Sequence, residues 1–219
     1  MILRRHEVSS RNALGAARLI RLRAAWYGPF RDTPRRRATY ADLIEVPEHL
    51  VAEIIDGELL TRPRPASPHA LAASAIGSAL FDRFNGPPGG VDAPGGWWIL
   101  DEPELHLGDD VLVPDHAGWR RERMPALPDV VGFTLAPDWV CEVISPSTAR
   151  IDRGRKLRVY AREQVAHLWF VDPLARTIEV YRLEGGRWVV AGTYDGAGML
   201  RLEPFATVEL DVSRWWREP

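Results

Sequence analysis

The run Asp138-Trp139-Val140-Cys141-Glu142-Val143-Ile144 constrains the fold of this chain more than any other stretch. Its aromatic and β-branched content reads as a buried strand interrupted by one acid. Side chains alternate along a strand, so Val140, Glu142 and Ile144 share a face. A carboxylate in an apolar strand is costly unless it is paired or binds a metal. Two readings stay open for Glu142: a residue near the strand end that points to solvent or pairs with an Arg, or a buried ligand.

The flanking segments supply the rest of a mixed fold. Thr39-Tyr40-Ala41-Asp42 reads as a helix N-cap with an acid at the third helical position. Residues 50–60 form two apolar runs around Asp56-Gly57, a two-residue hairpin signal. Ser67-Pro68 opens a second helix with Pro in its first turn; Leu71, Ala75, Ile76, Ala79 and Leu80 mark its expected buried face, and Gly86 follows its end. Residues 85–96 and 120–128 read as loops. Residues 97–107 and 111–113 are strand-like, separated by the turn Gly108-Asp109. After Ser145-Pro146-Ser147-Thr148 a helix is expected over residues 151–163, then a strand at 167–171, a hairpin at Gly185-Gly186, and short strands near 200–202 and 207–210. Strands with interspersed helices indicate an α/β or α+β domain. No internal repeat and no second domain boundary follow residue 39.

Charge divides the chain. Residues 1–40 hold ten Arg against Glu7 and Asp32, which leaves 18 basic and 28 acidic residues for the remainder. Residues 1–38 therefore read as a basic N-terminal extension and 39–219 as the folded domain. The extension is either an arm that touches nucleic acid or a flexible appendage, and its Arg content also resembles a transit peptide. An acidic domain is a poor phosphate binder by itself, which fits better if a divalent cation neutralises clustered carboxylates. No apolar run approaches the roughly 18 residues of a membrane helix and no apolar leader is evident. A single cysteine, Cys141, excludes an internal disulfide and a Cys-rich zinc site. A cytoplasmic protein is the expectation.

Of 28 basic residues 27 are Arg, so Lys156 is the one lysine. A lone Lys in a chain that otherwise uses Arg suggests a place that needs a compact ammonium, although chance survival of a surface Lys remains the alternative. Lys156 lies on the helix after Glu142, with Asp152 and Tyr160 four residues to either side on the same face. It either forms an i,i+4 pair with Asp152 or points at the carboxylates. Asp115 follows Val111-Leu112-Val113-Pro114, where a buried strand stops; Pro114 interrupts the ladder there, and a plain Pro-Asp turn, as at Asp129 and Asp138, is the other reading. A strand-end Asp, a Glu on a later strand and a nearby Lys are the groups that metal-assisted phosphodiester hydrolysis requires.

The order Val113-Pro114-Asp115, then Cys141-Glu142-Val143-Ile144-Ser145-Pro146-Ser147-Thr148 with Asp152, Lys156 and Tyr160, resembles the PD-(D/E)XK nuclease superfamily, and within it the Uma-type endonucleases (the Uma-two family). Residues 52–59, Ser67-Pro68-His69 and residues 165–173 match as well, so the resemblance spans about 39–190. It implies a restriction-endonuclease-like core, a mixed central sheet flanked by helices. It implies Mg²⁺ (or Mn²⁺) held by Asp115, Glu142 and the Val143 carbonyl, with DNA as substrate and a homodimer as one assembly. The superfamily places its lysine two residues after the acid, where this chain has Ile144; the resemblance implies a lysine migrated to Lys156. Glu53 matches an early acidic position and is either a supporting ligand or a solvent-facing strand residue. His69 has a phosphate or supporting role, or is a capping or surface residue of the helix. Asp152 is expected to orient Lys156, while Trp169 and Asp172 read as core and turn. Three functions compete: a Mg²⁺-dependent DNA endonuclease, an inactive nucleic-acid- or protein-binding module of the same fold, and a phosphodiesterase for RNA or a small nucleotide.

Overall fold

The Asp56-Gly57 pair shapes the first sheet. In the computed structural model of the chain both residues adopt positive φ, 57° and 79°, the type I′ geometry whose twist matches the strands it joins. This turn folds β2 (Glu58–Pro63) antiparallel onto β1 (Leu50–Ile55), with Glu53 opposite Leu60. Ahead of it, α1 (Tyr40–Ile44) opens on the expected capping box, with the Thr39 N–H and hydroxyl both reaching Asp42 Oδ2 at 2.7 Å. The structure describes residues 36–90 and 92–216. Arg37–Pro219 is one unit; residues 1–35 of the expected basic extension lie outside the described residues.

After the hairpin come α2 (Ser67–Phe84), β3 (Trp97–Asp101), β4 (Glu104–Leu107), β5 (Asp110–Leu112), β6 (His116–Arg120), β7 (Gly132–Phe133) and β8 (Trp139–Val143). The helical stretch that follows has three parts: α3 (Ala149–Ile151), a π-helical turn (Asp152–Lys156) and α4 (Leu157–Arg162). β9 (His167–Asp172), β10 (Thr177–Glu184), β11 (Arg187–Tyr194), β12 (Met199–Leu200), β13 (Leu210–Asp211) and a 3₁₀ turn (Val212–Trp215) complete the chain. One sheet runs β2-β1-β5-β4-β7, the second β11-β10-β9-β8-β6-β3, and β12 pairs with β13 alone. Pairing is antiparallel except for β8 with β9 and β4 with β7, so the α+β expectation holds.

β8 is buried throughout and apolar except for Glu142, because it is covered on both sides. Trp139, Cys141 and Val143 join a core with Ile76, Leu80 and Phe84 of α2 and with Trp169, Phe205 and Trp215. Val140 and Ile144 face a second core built from Leu105, Leu112, Trp119, Val159, Tyr160 and Phe170. Glu142 therefore points into the second core, beneath the helical stretch. Burying one large apolar side chain contributes about 1.5–3 kcal/mol, so a double-sided central strand anchors whatever it carries.

Some element boundaries differ from the sequence reading. The buried stripe of α2 is Ala72, Ile76, Gly77, Leu80 and Phe84, and Leu71, expected inside, is 42% exposed; the helix packs over β3 and the 3₁₀ turn, which rotates its inner face by one residue. β6 and the two-residue β7 carry no apolar alternation that marks them in advance. The helical stretch begins at Ala149, not 151, and contains a π turn. The tail strands shrink to two residues each. No helix among the described residues is long and apolar enough to cross a membrane.

Candidate active site

The segment Val113-Pro114-Asp115 carries the chain from β5 in one sheet to β6 in the other. Pro114 has no N–H to continue a ladder, and the Val113 groups turn to side chains instead: the N–H donates to Glu53 Oε1 (2.8 Å), and the carbonyl accepts from Arg62 Nη2 (3.4 Å). Asp115 then precedes β6, whose His116 pairs with Cys141 of β8. One step further along this antiparallel register, Asp115 falls opposite Glu142 on the same face. Asp115 Oδ2 accepts the Val143 N–H at 2.7 Å. The N–H and carbonyl of a strand residue point to the same side, so the Val143 carbonyl also lies on the Asp115 side of β8.

Lys156 enters from the helical stretch. A π turn widens the helix and is frequent at functional sites; here it spans Asp152 to Lys156 and both residues are buried. The Lys156 ammonium lies 2.8 Å from Glu53 Oε1, 3.1 Å from each oxygen of Glu142 and 3.5 Å from Asp152 Oδ1. It is 0% exposed. Tyr160, one turn on, donates its hydroxyl to Glu142 Oε1 at 2.5 Å. Arg62 is ion-paired to the second oxygen of Glu53. Arg155 ties the helical stretch to the first hairpin through Asp56 and Glu58 (3.1 and 2.8 Å) and the Ile55 carbonyl.

The charge balance follows from these contacts. Glu53, Asp115, Glu142 and Asp152 bring four carboxylates together, and Lys156 and Arg62 bring two cations. Burial pushes the Glu142 carboxyl upward, the Lys156 ammonium opposes this, and Asp152, Asp115 and Glu53 add repulsion, so its pKa rises from 4.5 to about 8. Burial also raises Asp152. Burial disfavours the charge of Glu53 as well, but Lys156 and Arg62 overcome that and hold it below the ordinary carboxylate value. Asp115 is held low against its burial by His69, the Val143 N–H and Lys156. Burial alone would lower the Lys156 ammonium; Glu142, Glu53 and Asp152 override it and keep it protonated far into the alkaline range.

Beside this cluster lies a cleft of about 350 Å³ bordered by Arg62, Arg64, His69, Asp115, Ser145 and Ser147. His69, in the first turn of α2, places Nε2 3.2 Å from Asp115 Oδ1; its Nδ1 is buried without a hydrogen-bond partner among the described residues. Asp115 and His69 thus face the cleft, while Glu142, Glu53, Asp152 and Lys156 lie behind them. Trp169 is in the core and Asp172 caps a turn through the Leu174 and Ala175 N–H groups, both at 2.9 Å.

All six side chains nominated from sequence converge: Glu53, His69, Asp115, Glu142, Asp152 and Lys156. Glu53 is 2% exposed, so the solvent-facing alternative for it is excluded. Two members of the site were given no role from sequence, Arg62 and Tyr160. Arg62 was within reach: the two-residue turn fixes Glu53 opposite Leu60, and strand parity puts Arg62 on the same face, diagonal to Glu53. Among the described residues no three His, Cys, Asp or Glu side chains form a metal-ligand group. Two carboxylates do suit Mg²⁺, which usually keeps several waters and binds through one or two protein carboxylates. Hard oxygen donors and a deficit of positive charge both fit a small divalent cation.

No curated protein matches this sequence. Among solved structures, the chain is similar to one described as "a putative nuclease belonging to DUF820" from Anabaena variabilis, with 21% identity, a TM-score of 0.64, and coverage of 81% of this chain and 97% of that one. That likeness establishes the shared fold, a mixed α+β core. The model of the Uma2 family, described as "Putative restriction endonuclease", matches residues 37–213, nearly the whole of the folded unit and every residue of the site. The chain belongs to the Uma2 family of nuclease-like proteins.

Proposed function

We propose that this chain is a divalent-cation-dependent endonuclease that hydrolyses phosphodiester bonds in DNA. The observation that carries the reading is the gathering of four carboxylates from separate chain segments against two cations, at the wall of an open cleft. Asp115, Glu142 and the Val143 carbonyl are the groups that would hold Mg²⁺ or Mn²⁺. Such a cation, when bound, supplies Lewis-acid polarisation of the phosphate and an acidified water.

The chain's own residues perform the remaining tasks. Asp115 is fixed by the Val143 N–H and His69, so its carboxylate is preorganised toward the cleft. Tyr160 and Lys156 hold Glu142 from behind. Lys156, the migrated lysine of this reading, keeps three acids close together at a spacing their mutual repulsion would otherwise oppose. Glu53 supports it and pins Val113, and hence the Pro114-Asp115 link. His69 borders the cleft beside Asp115, and Asp152 completes the Lys156 cage.

Two measurements test this. Calorimetric titration with Mg²⁺ or Mn²⁺ is expected to show binding that disappears in Glu142→Gln. Cleavage of DNA is expected in wild type and absent in Asp115→Asn and Glu142→Gln, with circular dichroism unchanged. Cleavage that survives both substitutions refutes the site. DNA binding without cleavage in wild type, under either metal, would instead establish the inactive binding module.

A further inference from the structure

Lys156 has no capacity left for a substrate. An ammonium carries three donors, and three carboxylates surround this one at 2.8, 3.1 and 3.5 Å. It has no exposed surface and does not border the cleft. A phosphate entering the cleft meets other cations first. Arg62 stands at that border, with a quarter of its side chain exposed. Its guanidinium has five N–H donors in a planar fork, and the contacts to Glu53 and the Val113 carbonyl use one donor each of Nη1 and Nη2, leaving Nε–H and the second N–H of each. Ser145 and Ser147, whose hydroxyls lie 3.0 Å apart, border the same space. Arg64 borders it too, but is half exposed and paired with Glu102 at 3.1 Å.

We propose that Arg62, not Lys156, is the cation that contacts a backbone phosphate of the bound DNA, and that Lys156 is the internal counter-ion of the carboxylates behind it. The proposal rests on the nuclease reading above and divides the work of the site between its two cations. A planar guanidinium grips two phosphate oxygens at once, which a buried point charge cannot do. Arg62 is also held in place by Glu53, so little side-chain freedom is lost on binding. Because Glu53 bonds both cations, it links the phosphate contact to the carboxylate cluster.

The test is DNA binding in EDTA, read by anisotropy of a fluorescein-labelled duplex across a salt series, so that metal loading and turnover do not enter. Each phosphate contact contributes roughly 0.9 to the slope of log affinity against log salt. Arg62→Gln is expected to lower that slope by about one and to weaken binding roughly tenfold at low salt. Arg182→Gln, on β10 and paired with Glu184 and Glu203, is expected to leave the slope unchanged. Should Arg62→Gln fold poorly, Glu53→Gln with Arg62→Gln removes both charges of the pair and is expected to show the same loss of slope. An unchanged slope in either Arg62 variant, with wild type binding DNA normally, overturns the Arg62 assignment and leaves the nuclease reading standing. Wild type that binds DNA neither in EDTA nor with Ca²⁺ supplied in its place overturns both.

Discussion

Glu142→Gln tests the electrostatics of the site without reference to catalysis. In the folded protein the Glu142 carboxyl is raised from 4.5 to about 8 by burial, and by Asp152, Asp115 and Glu53 against the opposing pull of Lys156. A group that binds its proton more tightly when folded makes stability fall as pH rises between the unfolded and folded values. The loss therefore develops between about pH 4.5 and about pH 8. At roughly 1.36 kcal/mol per pH unit the full effect has an upper bound of about 5 kcal/mol, because water entry and relaxation around the ionised group reduce it. Glutamine is close in shape to the protonated acid and does not ionise. Wild type and variant should thus be nearly equal near pH 5, with the variant gaining up to about pH 8 and the gap level beyond it. For a domain of this size ~1 kcal/mol moves the melting midpoint by about 2–4 °C, so a gap of several degrees is expected at the alkaline end. Glu53 and Asp115, held below their ordinary values, stay ionised in both proteins from pH 5 to 9; their stabilisation acts in the opposite sense, present above the ordinary carboxylate range and lost as pH falls below it. The assay is thermal or urea unfolding from pH 5 to 9 in EDTA, repeated with Mg²⁺. A difference that stays flat with pH, or that moves toward wild type as pH rises, would refute the charge balance described here. Mg²⁺ is expected to raise the wild-type midpoint at alkaline pH and to leave the variant unmoved.

Two further substitutions probe the same framework. Lys156→Met removes the cation from a cage of three carboxylates and is expected to cost about 3–5 kcal/mol in urea unfolding; combined with Glu142→Gln it should cost less than the sum of the two, because the excess charge is relieved, and strict additivity would argue against the cage. Gly118→Ala places a methyl 3.1 Å from Ile99 Cδ1, 3.2 Å from Trp139 and 3.3 Å from Trp97, where three well-packed side chains must yield, so a loss of about 1–3 kcal/mol is expected; a change within ~0.5 kcal/mol would show that the β3-β6-β8 packing is looser than described.

The site was legible in the sequence to an unusual degree, for reasons of local chemistry. Pro114 marks a broken ladder, Glu142 a charge in an apolar run, and Lys156 the one ammonium in a chain of guanidiniums. Each feature contradicts its surroundings, and such local conflicts are where functional groups are sought. The Asp56-Gly57 turn and the Thr39-Asp42 cap were legible for the opposite reason: they satisfy short-range backbone rules that need no tertiary partner. Tyr160 was placed on the Lys156 face by its spacing, yet nothing in that spacing shows that its hydroxyl reaches Glu142.

Distance and burial were decided only by the folded chain. The sequence by itself established that a carboxylate interrupts a central strand, that another ends a strand, and that a single ammonium follows on a helix, because residue type and spacing are local quantities. It also left Glu53 poised between solvent and site. Tertiary structure brought Glu53 from one sheet and Glu142 from the other around Lys156, and set Asp115, on the link between the sheets, beside His69 at the cleft. It also sealed Lys156 behind its partners and set Arg62 at the opening. Whether a cation faces its counter-ions or the solvent depends on how two sheets and a helix pack. That packing is fixed by the summed burial of two cores and by no residue near the site alone.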